Sequence, residues 1–76
     1  MNKERRKKIQ EVADQIESLK DEIEDIISEE EEYRDNIPEN MQSGERFEMA
    51  DQACDNLQSA VDCIEEALSC LEEAKN

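Results

Sequence analysis

Two runs of apolar residues, each alternating three and four positions apart, are separated by a single stretch unsuited to helix, and this pattern constrains the chain most. The first run is Ile9, Val12, Ile16, Leu19, Ile23 and Ile26, continued after the exception of Glu30 by Tyr33 and Ile37. The second is Phe47, Ala50, Cys54, Leu57, Val61, Ile64, Leu68 and Leu71. Such spacing is a heptad seam, the signature of a helix that buries one stripe against another helix. Between the runs lies Ile37-Pro38-Glu39-Asn40-Met41-Gln42-Ser43-Gly44. Pro38 disfavours helix at the residue before it. Ser43 is the expected N-cap of the second helix, with Glu45 and Glu48 in a first turn that favours negative charge. The spacing predicts helix one over about 3–36, a connection over about 37–43 and helix two over about 44–75, all in one domain.

A short connection between long helices folds them back as antiparallel neighbours. In that register the layers are Ile9/Leu71, Val12/Leu68, Ile16/Ile64, Leu19/Val61, Ile23/Leu57, Ile26/Cys54, Glu30/Ala50 and Tyr33/Phe47. It also sets Lys3, Arg5, Arg6, Lys7 and Lys8 beside Glu65, Glu66, Glu72 and Glu73. The expected fold class is therefore all-α, a heptad-packed antiparallel two-helix hairpin.

Helix two carries a second alternation beside the first: Met49, Ala53, Asn56, Ala60, Cys63, Ala67, Cys70 and Ala74. Small residues let another helix approach closely. Alanine is also simply a good helix former, but a lone hairpin of 76 residues buries little core, and a second copy on this seam would complete a four-helix bundle. A homodimer is expected on that ground.

Composition supports helix and little else, with one Gly, one Pro, one Tyr, one Phe and no Trp or His. No apolar run approaches the roughly 20 residues of a membrane span, and the basic start leads into an amphipathic pattern rather than a secretory core. Three cysteines without a Cys-x-x-Cys pair fit reduced thiols, so a cytoplasmic setting is expected. Without His there is neither a Glu-x-x-His di-iron motif nor a Ser/His/Asp or Cys/His set, and no glycine-rich phosphate loop occurs. Glu30 is the one carboxylate on the inward seam, with Arg34 placed to neutralise it. Cys63 and Cys70 lie one heptad apart, about 10.5 Å along a helix, too far for a disulfide. The three thiols read as small buried hydrophobes. No catalytic residue, metal or cofactor is expected, and the chain reads as a non-enzyme.

The charge is the remaining signal. There are 23 Asp and Glu against 9 Lys and Arg, and five of the nine cations fall in residues 1–8 with one carboxylate. Residues 9–76 thus hold four cations and 22 carboxylates, a net charge of −18. On helix one they form rows: Glu17, Glu24, Glu31; Asp14, Asp21, Asp35; Glu11, Asp25, Glu32. Acid of this density solubilises. It also matches a basic nucleic-acid channel, because carboxylates one turn apart are about 5–6 Å from each other, on the scale of phosphates along a strand. The stretch SEEEEYRD, residues 28–35, concentrates this charge near the C-terminal end of helix one, where acid opposes the helix dipole. Glu24, Asp25, Glu29, Glu31, Glu32 and Asp35 are the candidate patch for a basic protein partner. Direct nucleic-acid binding would rest on the N-terminal cations alone and is disfavoured by the rest of the charge.

The start MNKERRKKI, and NIPENMQSGERFEMADQACDNLQSAVDCIEEALSCLEEA over residues 36–74, resemble small acidic helical proteins of Firmicutes phages and mobile elements. That group has no assigned activity. The resemblance implies a phage-type setting, in which small acidic inhibitors, among them DNA-imitating anti-CRISPR proteins, block host defence. The expected function is a non-enzymatic acidic protein-binding module that occupies a basic nucleic-acid-binding surface of a host protein. The alternative is a structural oligomerisation or scaffold bundle whose acid only solubilises.

Overall fold

A computed structural model describes residues 1–76 as two long helices, α1 (Lys3–Asp35) and α2 (Glu45–Lys75), joined through the short 3-10 turn Glu39–Met41. The helices pack along each other as an antiparallel hairpin with Cα extents of 59 × 15 × 11 Å.

The helix ends follow from local chemistry. The Asn2 side chain caps α1, its Oδ1 accepting from the Arg5 N–H at 2.8 Å, with Glu4 in the first turn. α1 stops at Asp35, three residues before Pro38. Gly44, not Ser43, caps α2. Gly44 is extended, its carbonyl accepts from the Glu48 N–H at 3.2 Å, and no side chain caps the helix. A Cβ on Gly44 would sit 3.2 Å from the Met41 carbonyl oxygen, so the tight approach of the turn favours glycine there. Glu45 and Glu48 do fall in the first turn of α2.

α2 presents the expected seam. Ala50, Cys54 and Val61 are buried, and Phe47, Leu57, Ile64, Leu68 and Leu71 are partly so. α1 does not, and this corrects half of the expected layers. Its inward residues are Ile9, Ala13, Ile16, Lys20, Ile23, Ile27, Glu30 and Arg34, of which Ile27 is buried, and Ile37, two residues past its end, is buried as well. Val12, Leu19, Ile26 and Tyr33, expected to face Leu68, Val61, Cys54 and Phe47, instead retain 48%, 56%, 48% and 45% of their surface.

The physical cause is the row Ala13, Lys20, Ile27, Arg34. Its two cations lay aliphatic stems over the seam while their charged heads reach carboxylates at the edge. Lys20, Arg34 and, on α2, Lys75 keep only 16%, 21% and 18% of their side-chain surface. Arg34 donates from Nη1 to Asp51 of α2 at 2.9 Å. Turning this row inward takes the Val12 row out of the seam by roughly one position of the wheel.

Candidate functional site

Contacts across the hairpin establish which rows share a flank. Arg46 of α2 donates from Nη2 to the Tyr33 hydroxyl at 3.0 Å, its guanidinium 5.7 Å from the ring centroid. The opposite flank carries Arg34–Asp51, and at the far end Lys75 donates to Gln10 and pairs with Glu72 at 3.0 Å. Lys20 lies on this ion-paired flank too, with Glu17 at 3.3 Å. The hairpin therefore has a charged flank closed by ion pairs and a second flank marked by Tyr33 and Arg46.

Stepping one heptad down α1 and one up α2 from the Tyr33–Arg46 contact gives Ile26 with Ala53, Leu19 with Ala60 and Val12 with Ala67. The exposed large row of α1 and the small row of α2 thus run side by side on the same flank. Of the expected self-association seam, Met49, Asn56, Ala60, Cys63, Ala67, Cys70 and Ala74 are exposed and Ala53 is partly covered. Cys63 and Cys70, expected as buried small hydrophobes, are uncovered in the single hairpin because their row lies more than a third of a turn from the face that α1 covers. Only Cys54 is buried. Burial pushes its thiol above the ordinary value, partly opposed by the nearby Arg34.

All six residues of the candidate acidic patch, Glu24, Asp25, Glu29, Glu31, Glu32 and Asp35, are exposed. They wrap the outside of α1 near the connection and do not converge on one point. Asp35 alone among them is paired, with Arg34 at 3.0 Å. The four cations beyond residue 8 are all engaged within the hairpin: Lys20 with Glu17, Arg34 with Asp35 and Asp51, Arg46 with Tyr33, and Lys75 with Gln10 and Glu72. The neighbouring carboxylates lift the Lys20 and Arg34 pKa values, Glu17 foremost for Lys20 and Asp35 for Arg34. Of the outer rows only Glu17 and Asp35 have a cation paired with them.

Two smaller expectations change. Arg34 pairs with Asp35 and Asp51 rather than Glu30, because its stem runs along the seam toward α2. The N-terminal cations make no ion pair within 4 Å with Glu65, Glu66, Glu72 or Glu73; Lys75, reaching Gln10 and Glu72, occupies that end. No group of three or more His, Cys, Asp or Glu side chains is arranged to hold a metal ion, and no helix is long and apolar enough to cross a membrane. The one concavity lies beside the connection, lined by Ile37, Met41, Ser43, Glu45 and Arg46 among others.

The inward role of Lys20 and Arg34 had a sequence signal. Both sit a heptad multiple from Ala13 and Ile27, and α2 offers Asp51 and Glu65 at matching steps along its own edge. Compared with protein-family models, with curated proteins and with solved structures, the chain finds no match.

Proposed function

We propose that this hairpin is a non-enzymatic acidic module that docks on a basic, nucleic-acid-binding surface of a host protein, as a phage-type, DNA-mimicking inhibitor does. The observation that carries this reading is that the four cations beyond residue 8 pair with only two residues of the outer rows, Glu17 and Asp35, which leaves the other carboxylates of those rows without an ion pair along a rod 59 Å long. A rigid rod with charge repeating each turn offers many simultaneous contacts to Lys and Arg at little ordering cost. Glu24, Asp25, Glu29, Glu31 and Glu32 form the densest part.

Affinity capture on the immobilised chain tests it. Captured host proteins should be nucleic-acid binders, should elute between about 50 and 200 mM salt as screening grows, and should be displaced by duplex DNA. Capture that ignores both salt and DNA contradicts the reading. A second reading, an assembly element, is favoured by a separate observation, the uncovered apolar row Val12, Leu19, Ile26 and Tyr33.

A further inference from the structure

The flank that α1 and α2 leave open is built as one ridge beside one track. The ridge is Val12, Leu19, Ile26 and Tyr33, and the track is Ala53, Ala60 and Ala67, continued by Ala74. We propose that this flank is the seat of a second copy of the chain, placed by a two-fold axis parallel to the helices so that the ridge of each copy lies in the track of the other. The inference does not depend on the acidic reading: the Glu17, Asp14 and Glu11 rows lie on other faces, and only Glu22 and Glu29 border the ridge, three residues on from Leu19 and Ile26.

Three observations favour a second copy over an unrelated partner. The first is area. A compact monomer of 8.8 kDa exposes about 4,800 Å², whereas this chain exposes 5819 Å². The surplus of about 1,000 Å² is close to the roughly 800 Å² that each partner buries in a standard interface.

The second is self-complementarity. A two-fold interface must match a surface to itself. An axis along the helices carries α1 of one copy over α2 of the other at the same height, so Leu19 meets the partner's Ala60, Ile26 the partner's Ala53 and Val12 the partner's Ala67. Large residues fall on small ones throughout, and every helix has antiparallel neighbours, as in an up-and-down bundle. The other face-to-face arrangement, with the axis across the helices, stacks ridge on ridge and track on track. One pair of helices would then be held apart while the other had to close to reach contact.

The third is the apolar arc of α2. Phe47, Cys54, Val61 and Leu68; Ala50, Leu57, Ile64 and Leu71; Ala53, Ala60 and Ala67; and Met49, Cys63 and Cys70 occupy four adjacent rows of the helix, more than the one helix packed against it covers. In the two-copy bundle the inner rows of α2 become the Leu57 and Ala60 rows. Those of α1 become the Ile16 and Leu19 rows, which is the a/d pattern of its heptads.

Sedimentation equilibrium on the intact chain, from low to high micromolar, decides the matter. Wild type should reach the mass of two chains, 2 × 8.8 kDa. Leu19→Glu with Ile26→Glu should remain at one chain with its helical circular dichroism retained, since both residues already face away from α2. Ala60→Leu fills the track and should weaken association at least tenfold. Adding Leu19→Ala should recover most of that loss. A wild type that stays monomeric at high micromolar overturns the proposal, as does undiminished association of the double Glu variant. Failure of Leu19→Ala to rescue Ala60→Leu overturns the ridge-in-track placement. Should the double Glu variant lose its helix signal, the Ala60→Leu and Leu19→Ala pair carries the decision alone.

Discussion

The two flanks of the hairpin are made from neighbouring residues and end in opposite states. On one, Lys20, Arg34 and Lys75 cover the seam with their stems and engage Glu17, Asp51 and Glu72. On the other, Val12, Leu19 and Ile26 stand beside alanines with nothing over them. A flank that ends in ion pairs is finished as a surface, because its apolar atoms are already covered and its charges face water. A flank that ends in a row of half-exposed branched side chains is unfinished. Consecutive residues show the contrast most sharply: Ile27 is 8% exposed and Ile26 is 48% exposed.

That pair supplies the largest expected effect. Ile27→Ala removes a buried side chain from the seam and should cost about 2–4 kcal/mol in thermal or urea unfolding. Ile26→Ala should cost well under half as much in dilute solution while weakening self-association. Equal losses at low concentration would mean that the flanks are not different.

Next in size is the acidic patch. Glu31→Gln, Glu32→Gln and Asp35→Asn together should weaken capture of a basic partner at least tenfold. Thermal stability should hold or rise, since Glu31 and Glu32 each cost a few tenths of a kcal/mol against the dipole and their neighbours, which offsets loss of the exposed Arg34–Asp35 pair. Unchanged capture with a higher melting temperature would make the patch a solvated face and favour the assembly reading. Salt separates the two interactions further. Capture should weaken as salt rises, whereas association of two chains of net charge −14 through an apolar flank should strengthen.

On the closed flank, Arg34→Met keeps the stem and removes the charge. A small loss of stability is expected, read by thermal unfolding, and it should shrink as salt screens the Asp51 pair. A loss that is unaffected by salt would assign the closure to packing alone.

The smallest effect concerns Cys54. Its folded thiol holds its proton to higher pH than the unfolded one, for which 9.0 is the ordinary value. The stability it contributes is complete below that pH and is lost as pH rises through the raised folded value. Cys54→Ala should flatten this alkaline decline in a denaturation series, ahead of the later loss expected from Lys20, raised above 10.5 by Glu17. An unchanged slope would put the decline elsewhere.

Much of the fold is legible in the residues themselves. The break at Pro38 and the Leu, Ile and Val spacing of α2 are strong enough to specify two helices, their antiparallel order and the inward face of α2. The rotation of α1 is not legible in the same way. Ile26 and Ile27 are equally apolar, and rows beginning at Val12 and at Ala13 both fit beside Ile9, Ile16 and Ile23. Their order is decided by pairwise contacts, Arg34 with Asp51 and the long stems over the seam, which periodicity within one helix does not encode. The N-cap slipped from Ser43 to Gly44 for a similar reason: the tight approach of Gly44 to Met41 belongs to the turn rather than to either residue. The outward placement of Glu24, Asp25, Glu29, Glu31, Glu32 and Asp35 followed from heptad position. A partner for them did not, because charge rows specify the sign and spacing of a partner's surface and nothing more.

Small-angle X-ray scattering at high micromolar concentration tests the central claim most directly, that the open flank is closed by a second copy lying alongside. The scattered intensity should give twice 8.8 kDa with a longest dimension still near that of one hairpin, whose Cα extent is 59 Å. A mass of one chain, or a two-chain particle approaching twice that length, would contradict it.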